Sequence, residues 1–224
     1  MREIVLDTET TGLDPADGHR VVEVACVELV NLLPSGRELH FHCNPERDMP
    51  EDALAIHGLT SEFLSGKPVF AETAGRFIEF MQDARLVAHN ADFDVRFLQA
   101  ELKRCGRPRL ACEVVDTLQL ARRKFPGAPA SLDALCRRFG IDLSERTKHG
   151  ALIDTRLLAK VYLELMGGKQ PVLGLAAGPA TADGPIDPAR RTARPARVHA
   201  ASESELIAHK ALIDALKDAL WLKA

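Results

Sequence analysis

No stretch of this sequence approaches the roughly 20 consecutive apolar residues that a membrane-crossing helix needs. Its 46% hydrophobic and 27% charged residues make the composition of a soluble globular chain. A secretory leader is not expected, because Ile4-Val5-Leu6 is too short an apolar core and acids follow it at once. Paired cysteines are missing too. Cys26, Cys43, Cys105, Cys112 and Cys136 are odd in number and scattered, with no Cys-x-x-Cys among them. That argues against a disulfide framework and a zinc site, and fits reduced thiols in a cytoplasmic protein. There is no excess of positive charge. A net charge of −3 argues against a protein that coats duplex nucleic acid through a basic surface. It leaves room for an enzyme whose bound metals supply the positive charge locally. No internal repeat is visible.

The 224 residues suffice for one full domain and an appendage. Residues 2–8 read as a buried strand running into Asp7, followed by a turn at Thr11-Gly12 and a second strand around Val21–Val30. Ser35-Gly36 reads as the hairpin turn into a third strand around Glu38–Cys43. The period then changes. Phe70–Met81, Ala91–Cys105, Asp116–Lys124, Ser131–Phe139 and Ala151–Met166 carry apolar residues at helical spacing, with short strands at Arg85–Ala88 and Ala111–Val115. A three-stranded meander followed by alternating helices and strands predicts an α/β domain with a mixed central sheet flanked by helices, over residues 1–168.

Beyond Gly167-Gly168 the composition shifts to Ala, Pro, Gly and Arg. A segment so poor in large apolar residues cannot bury a core, so 169–201 reads as a flexible linker. Residues 169–198 hold 5 basic and 2 acidic side chains, against 21 and 26 in residues 1–168. Order is expected to return at Ser202-Glu203-Ser204-Glu205, a capping-box pattern. Leu206, Ile213, Leu216 and Leu220 then make one stripe ending at Trp221. A helix of this length is marginal alone, so the 202–222 segment needs a partner to pack on.

Four acids stand out. Asp7 and Glu9 are two apart on the most apolar strand and so share a face. Asp94 lies on the apolar stripe of its helix with Phe97 and Leu98, whereas Asp92 faces Arg96 at i+4 in an ordinary solvated pair. Asp154 repeats the inward pattern with Leu157, Leu158 and Val161. A buried carboxylate without a partner is costly. Any one of these acids could be met by an arginine or a helix cap; four together ask for a shared cation. His149 precedes Asp154 by five positions across Gly150, which puts the histidine on a loop above a helix-borne Asp154.

Taken together, Ile4-Val5-Leu6-Asp7-Thr8-Glu9-Thr10-Thr11-Gly12, His89-Asn90-Ala91-Asp92-Phe93-Asp94 and His149-Gly150-Ala151-Leu152-Ile153-Asp154 resemble the three ordered motifs of the DEDDh exonucleases. Phe125-Pro126-Gly127 and Ser131-Leu132-Asp133-Ala134-Leu135-Cys136 resemble the branch of epsilon proofreading subunits of bacterial DNA polymerase III. The related tyrosine-type family is disfavoured, since the single tyrosine, Tyr162, follows the third-motif acid. The resemblance implies a ribonuclease H-like fold and stepwise removal of mismatched 3′-terminal nucleotides as deoxynucleoside monophosphates. It implies two divalent cations, Mg2+ or Mn2+, held by Asp7, Glu9, Asp94 and Asp154, with Asp7, Glu9 and Asp154 also touching substrate. His149 is then the base that takes a proton from water, a task suited to an imidazole whose ordinary pKa is about 6.5. His57 is a candidate contact for the terminal nucleotide.

The expected partners follow from the same likeness. They are a single-stranded or frayed DNA 3′ end, the sliding clamp through Gln170, Leu173 and Leu175 of the 170–175 peptide, and the polymerase III alpha subunit through 202–222. The competing readings are an RNA-trimming exonuclease of the same superfamily and a non-catalytic assembly subunit.

Overall fold

In the computed structural model of this chain, residues 1–144, 146, 149–168 and 200–215 are described. Strand β1 (Arg2–Thr10) carries Ile4, Val5 and Leu6 in succession, all wholly buried. Side chains of a strand alternate between faces, so a strand buried along its length needs cover on both sides. On one face Ile4 and Leu6 join Val24, Cys26, Phe77 and Phe97. On the other, Val5 meets Val27, Val87, Leu158 and Tyr162.

β1 is the central strand of five. β2 (Val21–Val30) and β3 (Leu33–His42) extend the sheet antiparallel on one side. β4 (Arg85–Ala88) and β5 (Val114–Asp116) extend it parallel on the other, giving the order β3-β2-β1-β4-β5. The helices are α1 (Glu51–His57), α2 (Ser61–Ser65), α3 (Phe70–Met81), α4 (Ala91–Arg104), α5 (Thr117–Lys124), α6 (Leu132–Phe139) and α7 (Ala151–Leu165). α3 and α4 supply Phe77 and Phe97 to the first core, and α7 supplies Leu158 and Tyr162 to the second. This is the mixed, helix-flanked sheet expected from the sequence. The two short helices α1 and α2 were not anticipated, because neither is long enough to show a helical apolar period.

The hairpin turn departs from expectation. Val30 pairs with Leu33, so the reversal is the two-residue loop Asn31-Leu32, where φ is 52° and 69°. Two successive positive φ values match the right-handed twist of the flanking strands. Ser35-Gly36 lies inside β3 instead, in the extra residues between the pairs Leu29↔Pro34 and Val27↔Glu38, with Gly36 at φ 88°. The irregularity serves Glu28, a carboxylate buried mid-strand. Ser35 Oγ donates to it at 2.6 Å, Arg37 at 2.9 Å and Arg2 at 2.6 Å. The glycine thus marks a bulge rather than the turn. β5 also starts later than expected, at Val114, because only the residues from Val114 on lie opposite β4.

The chain divides into two units, Met1–Leu175 and Ala176–Ala224. In the second, helix α8 (Glu203–Ala215) opens on the expected capping box: Glu205 N–H donates to Ser202 Oγ and Ser202 N–H to Glu205 Oε2 at 2.8 Å. The 170–175 peptide with Gln170, Leu173 and Leu175, and the stripe residues Leu216, Leu220 and Trp221, lie outside the described residues. Among the described residues no helix is long and apolar enough to cross a membrane.

Candidate active site

β1 changes character at its C-terminal end, where the apolar run gives way to Asp7, Thr8 and Glu9. Strand alternation sends Thr8 to the opposite face from the two acids. There Thr8 Oγ1 donates to Asp94 Oδ1 at 2.7 Å. Asp94 is 3% exposed in the first turn of α4, while Asp92 is 80% exposed and paired with Arg96 at 3.1 Å. The helix-face argument that separated these two aspartates therefore holds. The passage from β4 into α4 runs through Asn90, held at φ 65°, a conformation asparagine tolerates better than most residues. Its N–H donates to Asp116 Oδ1 at 3.2 Å.

Asp154 is 4% exposed in the first turn of α7, and Gly150 is the N-cap of that helix, so the helix begins where the glycine predicted. His149 is half exposed just ahead of it, with Nδ1 3.3 Å from Asp154 Oδ2. Ligand atoms of Glu9, His149 and Asp154 lie within 4.8 Å of one another. Asp94 and Asp154 both sit at helix N-termini, where the partial positive charge of the helix end favours a carboxylate. Tyr162 stands apart: its hydroxyl donates to the buried Glu3 at 2.8 Å, toward the other end of β1.

The acids crowd each other. Burial, with the charges of Asp94, Glu9 and Asp154, holds the Asp7 carboxyl well above its usual range. Burial, followed by Glu23, Asp154 and Asp94, pushes Glu9 up to about 8. Burial lifts Asp94 to about 7 against the opposing pull of the Thr8 hydrogen bond. Four hard oxygen donors that repel one another in this way fit a divalent cation such as Mg2+ or Mn2+.

The positive charge already present comes from Arg146, which the sequence reading passed over. Its Nε and Nη2 grip both oxygens of Asp154, at 2.5 and 2.7 Å. Nη2 also donates to His149 Nδ1 at 2.8 Å, and Nη1 bonds Asp133. Nδ1 therefore accepts, which leaves the imidazole proton on Nε2 in this arrangement. The guanidinium holds Asp154 as a cation would, and competes with one for the same two oxygens.

Two cavities flank the acids. One of about 430 Å³ is lined by Asp7, His89, Asp133, Arg146, His149 and Asp154. His89 Nδ1 lies 2.9 Å from Thr117 Oγ1, and burial holds this imidazole below its usual range. The other, of about 540 Å³, has Glu9 at one side and His57, Leu13, Ile56 and Phe93 around it. His57 ends α1, 7% exposed, with Nδ1 accepting from Leu59 N–H at 3.0 Å. A Cβ at Gly12, in the wall of that cavity, would stand 2.3 Å from the His19 ring, so a larger residue there has to displace that ring. Glu23 was missed as well, although a charged residue inside the apolar run Val21–Val30 was a visible signal. It is the cross-strand partner of Glu9.

The raised carboxylates have a measurable consequence. Between an ordinary value of about 4.5 and its folded value of about 8, Glu9 keeps its proton in the folded protein and loses it in the unfolded chain. Asp94 does the same between 3.8 and about 7. The cation-free protein is therefore most stable below this window, and loses stability as pH rises through it. Its Tm is expected to fall by at least roughly 5 °C from pH 5 to pH 8, with each kcal/mol moving Tm by about 2–4 °C at this size. Saturating Mn2+ should abolish the fall, and a flat Tm without metal would contradict the crowding.

A family model described as Exonuclease matches residues 4–162, a span that holds Asp7, Glu9, Asp94, His149 and Asp154. The DNA polymerase III subunit epsilon of Rickettsia felis is 53% identical over 174 residues, 76% of this chain and 76% of that protein. The subunit of the same name from Escherichia coli (strain K12) is 41% identical over 224 residues, 95% of this chain and 92% of the relative. Among solved structures, Exonuclease X in complex with 5′ overhanging duplex DNA is 27% identical with a TM-score of 0.58, covering 73% of this chain and 90% of that one. The fold is the ribonuclease H-like one that the three motifs imply.

Proposed function

The chain belongs to the exonuclease family and, within it, to the DNA polymerase III epsilon subunits, and from that premise we propose that it proofreads. In this reading it removes mismatched 3′-terminal nucleotides from DNA as deoxynucleoside monophosphates. The observation that carries the reading is the gathering of Asp7, Glu9, Asp94 and Asp154, from one strand and two helix N-termini, close enough that the other three charges act on Asp7, with the His149 imidazole beside Glu9 and Asp154. Asp7, Glu9, Asp94 and Asp154 hold the cations. When bound, two divalent ions supply Lewis-acid stabilisation of the phosphate and acidify an attacking water.

The chain's own groups do the rest. His149, on the loop above Asp154, accepts the proton of that water once Arg146 has left its acceptor nitrogen, Nδ1. With a cation bound, Asp154 would give up its pairing with the Arg146 guanidinium, and Asp133, which already bonds Arg146, would keep it nearby. The terminal nucleotide enters the cavity beside Glu9, where Leu13, Ile56 and Phe93 offer apolar walls for a base and His57 a polar contact. A mismatched end frays at lower cost than a paired one, so it reaches the cavity more often.

The tail completes the assignment. Gln170, Leu173 and Leu175 bind the sliding clamp, the 202–222 segment docks on the polymerase alpha subunit, and the linker between them raises the local concentration of nuclease at the primer end. Purified protein with Mn2+ should release mononucleotides from 3′-labelled single-stranded DNA, faster than from the matching RNA, and a chelator should stop it. Intact DNA, or activity that survives chelation, contradicts the reading. Deleting 176–224 should leave this activity and remove alpha binding; loss of both would contradict the division of labour.

A further inference from the structure

A second cluster of metal-ligating side chains lies one strand away from the acids and takes no part in the proposed reaction. Glu23 of β2 pairs across the sheet with His42 of β3, and His40, two residues along the same strand, projects from the same face. Both imidazoles aim Nε2 at one oxygen of the Glu23 carboxylate: His40 at 2.7 Å and His42 at 3.6 Å from Oε1. All three ligand atoms lie within 4.8 Å of one another.

We propose that Glu23, His40 and His42 form a binding site for one transition-metal ion of the zinc class. Zinc binds imidazole nitrogen and carboxylate oxygen at about 2.0–2.2 Å, so neighbouring ligand atoms in a tetrahedral site stand roughly 3.3 Å apart. The two measured distances bracket that edge. Two imidazoles and one carboxylate leave a fourth position for water, and nitrogen-rich sets favour zinc, nickel or cobalt over magnesium.

The supporting shell is in place. Glu23 Oε2 accepts from Ala151 N–H at 3.2 Å, which orients the carboxylate while leaving Oε1 for the ion. The His42 ring stands edge-on to Phe63 at 5.1 Å, which fixes its plane. Glu23 is buried, whereas His40 and His42 are partly open to solvent, so an ion can enter from that side. The bound ion ties β3, at the edge of the sheet, to β2. Through Ala151 it also ties them to the start of α7, next to His149 and Asp154.

The test is a Co2+ titration of the full chain carrying Asp7→Asn and Asp154→Asn, which weakens the other carboxylate cluster as a competitor. One equivalent should give the visible bands of four-coordinate cobalt, displaced by Zn2+ and not by millimolar Mg2+. His40→Gln and His42→Gln should each weaken binding at least about tenfold, by loss of one ligand. Zn2+ should also protect the peptide holding both histidines from carbethoxylation in the parent protein, a readout that does not depend on how the variants fold. Absence of the bands, bands that survive both histidine substitutions, or histidines modified equally with and without Zn2+ would overturn the proposal.

Discussion

Asp7→Asn should lower exonuclease turnover on the order of 10³-fold or more, and at the same time raise the Tm of the cation-free protein at pH 8. The two signs have one cause. Asp7 stands where burial and four neighbouring carboxylates, Asp94, Glu9, Asp154 and Glu23, all oppose its charge. Asparagine keeps the shape and removes the repulsion. A gain of about 1 kcal/mol corresponds to roughly 2–4 °C for a chain of this size. The same substitution takes an anionic ligand from the cations, whose charge stabilisation of the transition state cannot be replaced by a neutral amide. Stability stored against function in this way is typical of strained active sites. Asp92→Asn is the control: an exposed carboxylate paired with Arg96 should leave both turnover and Tm within error. A loss of Tm in Asp7→Asn would mean that the acids do not repel each other in the folded protein.

His149→Gln should lower kcat by about 10²–10⁴-fold, the range a positioned general base contributes. Affinity for Mn2+ should stay unchanged, and added imidazole should restore part of the rate, because the His149 side chain is half exposed and its place is open to a small molecule. The prediction is sharp because geometry offers a second role. His149, Glu9 and Asp154 lie close enough to share an ion. Were His149 a ligand, the substitution would weaken cation binding, and imidazole would rescue affinity before rate.

Much of this site was legible in residue order. The alternation on β1 placed Asp7 and Glu9 on one face, and helical spacing separated inward Asp94 from outward Asp92. Gly150 marked the start of α7. Each of those inferences is local, resting on a period of two or of 3.6 within a single element. The hairpin turn failed for a related reason. A glycine announces positive φ without saying whether the conformation serves a turn or a bulge, and here a buried Glu28 with three donors settled it.

By itself, then, the sequence determined that Asp94 and Asp154 face inward while Asp92 does not, and where helices α3 to α7 lie along the chain. Only the tertiary structure decided what stands among the acids. Arg146 reaches Asp154, Asp133 and His149 from a polar stretch with no period of its own. Glu23 meets His40 and His42 because β2 and β3 pair in one register, and a shift by one residue would separate them. Electrostatic crowding likewise depends on distances between segments far apart in the chain. Periodicity carries information along an element, whereas charge acts across the space that packing creates.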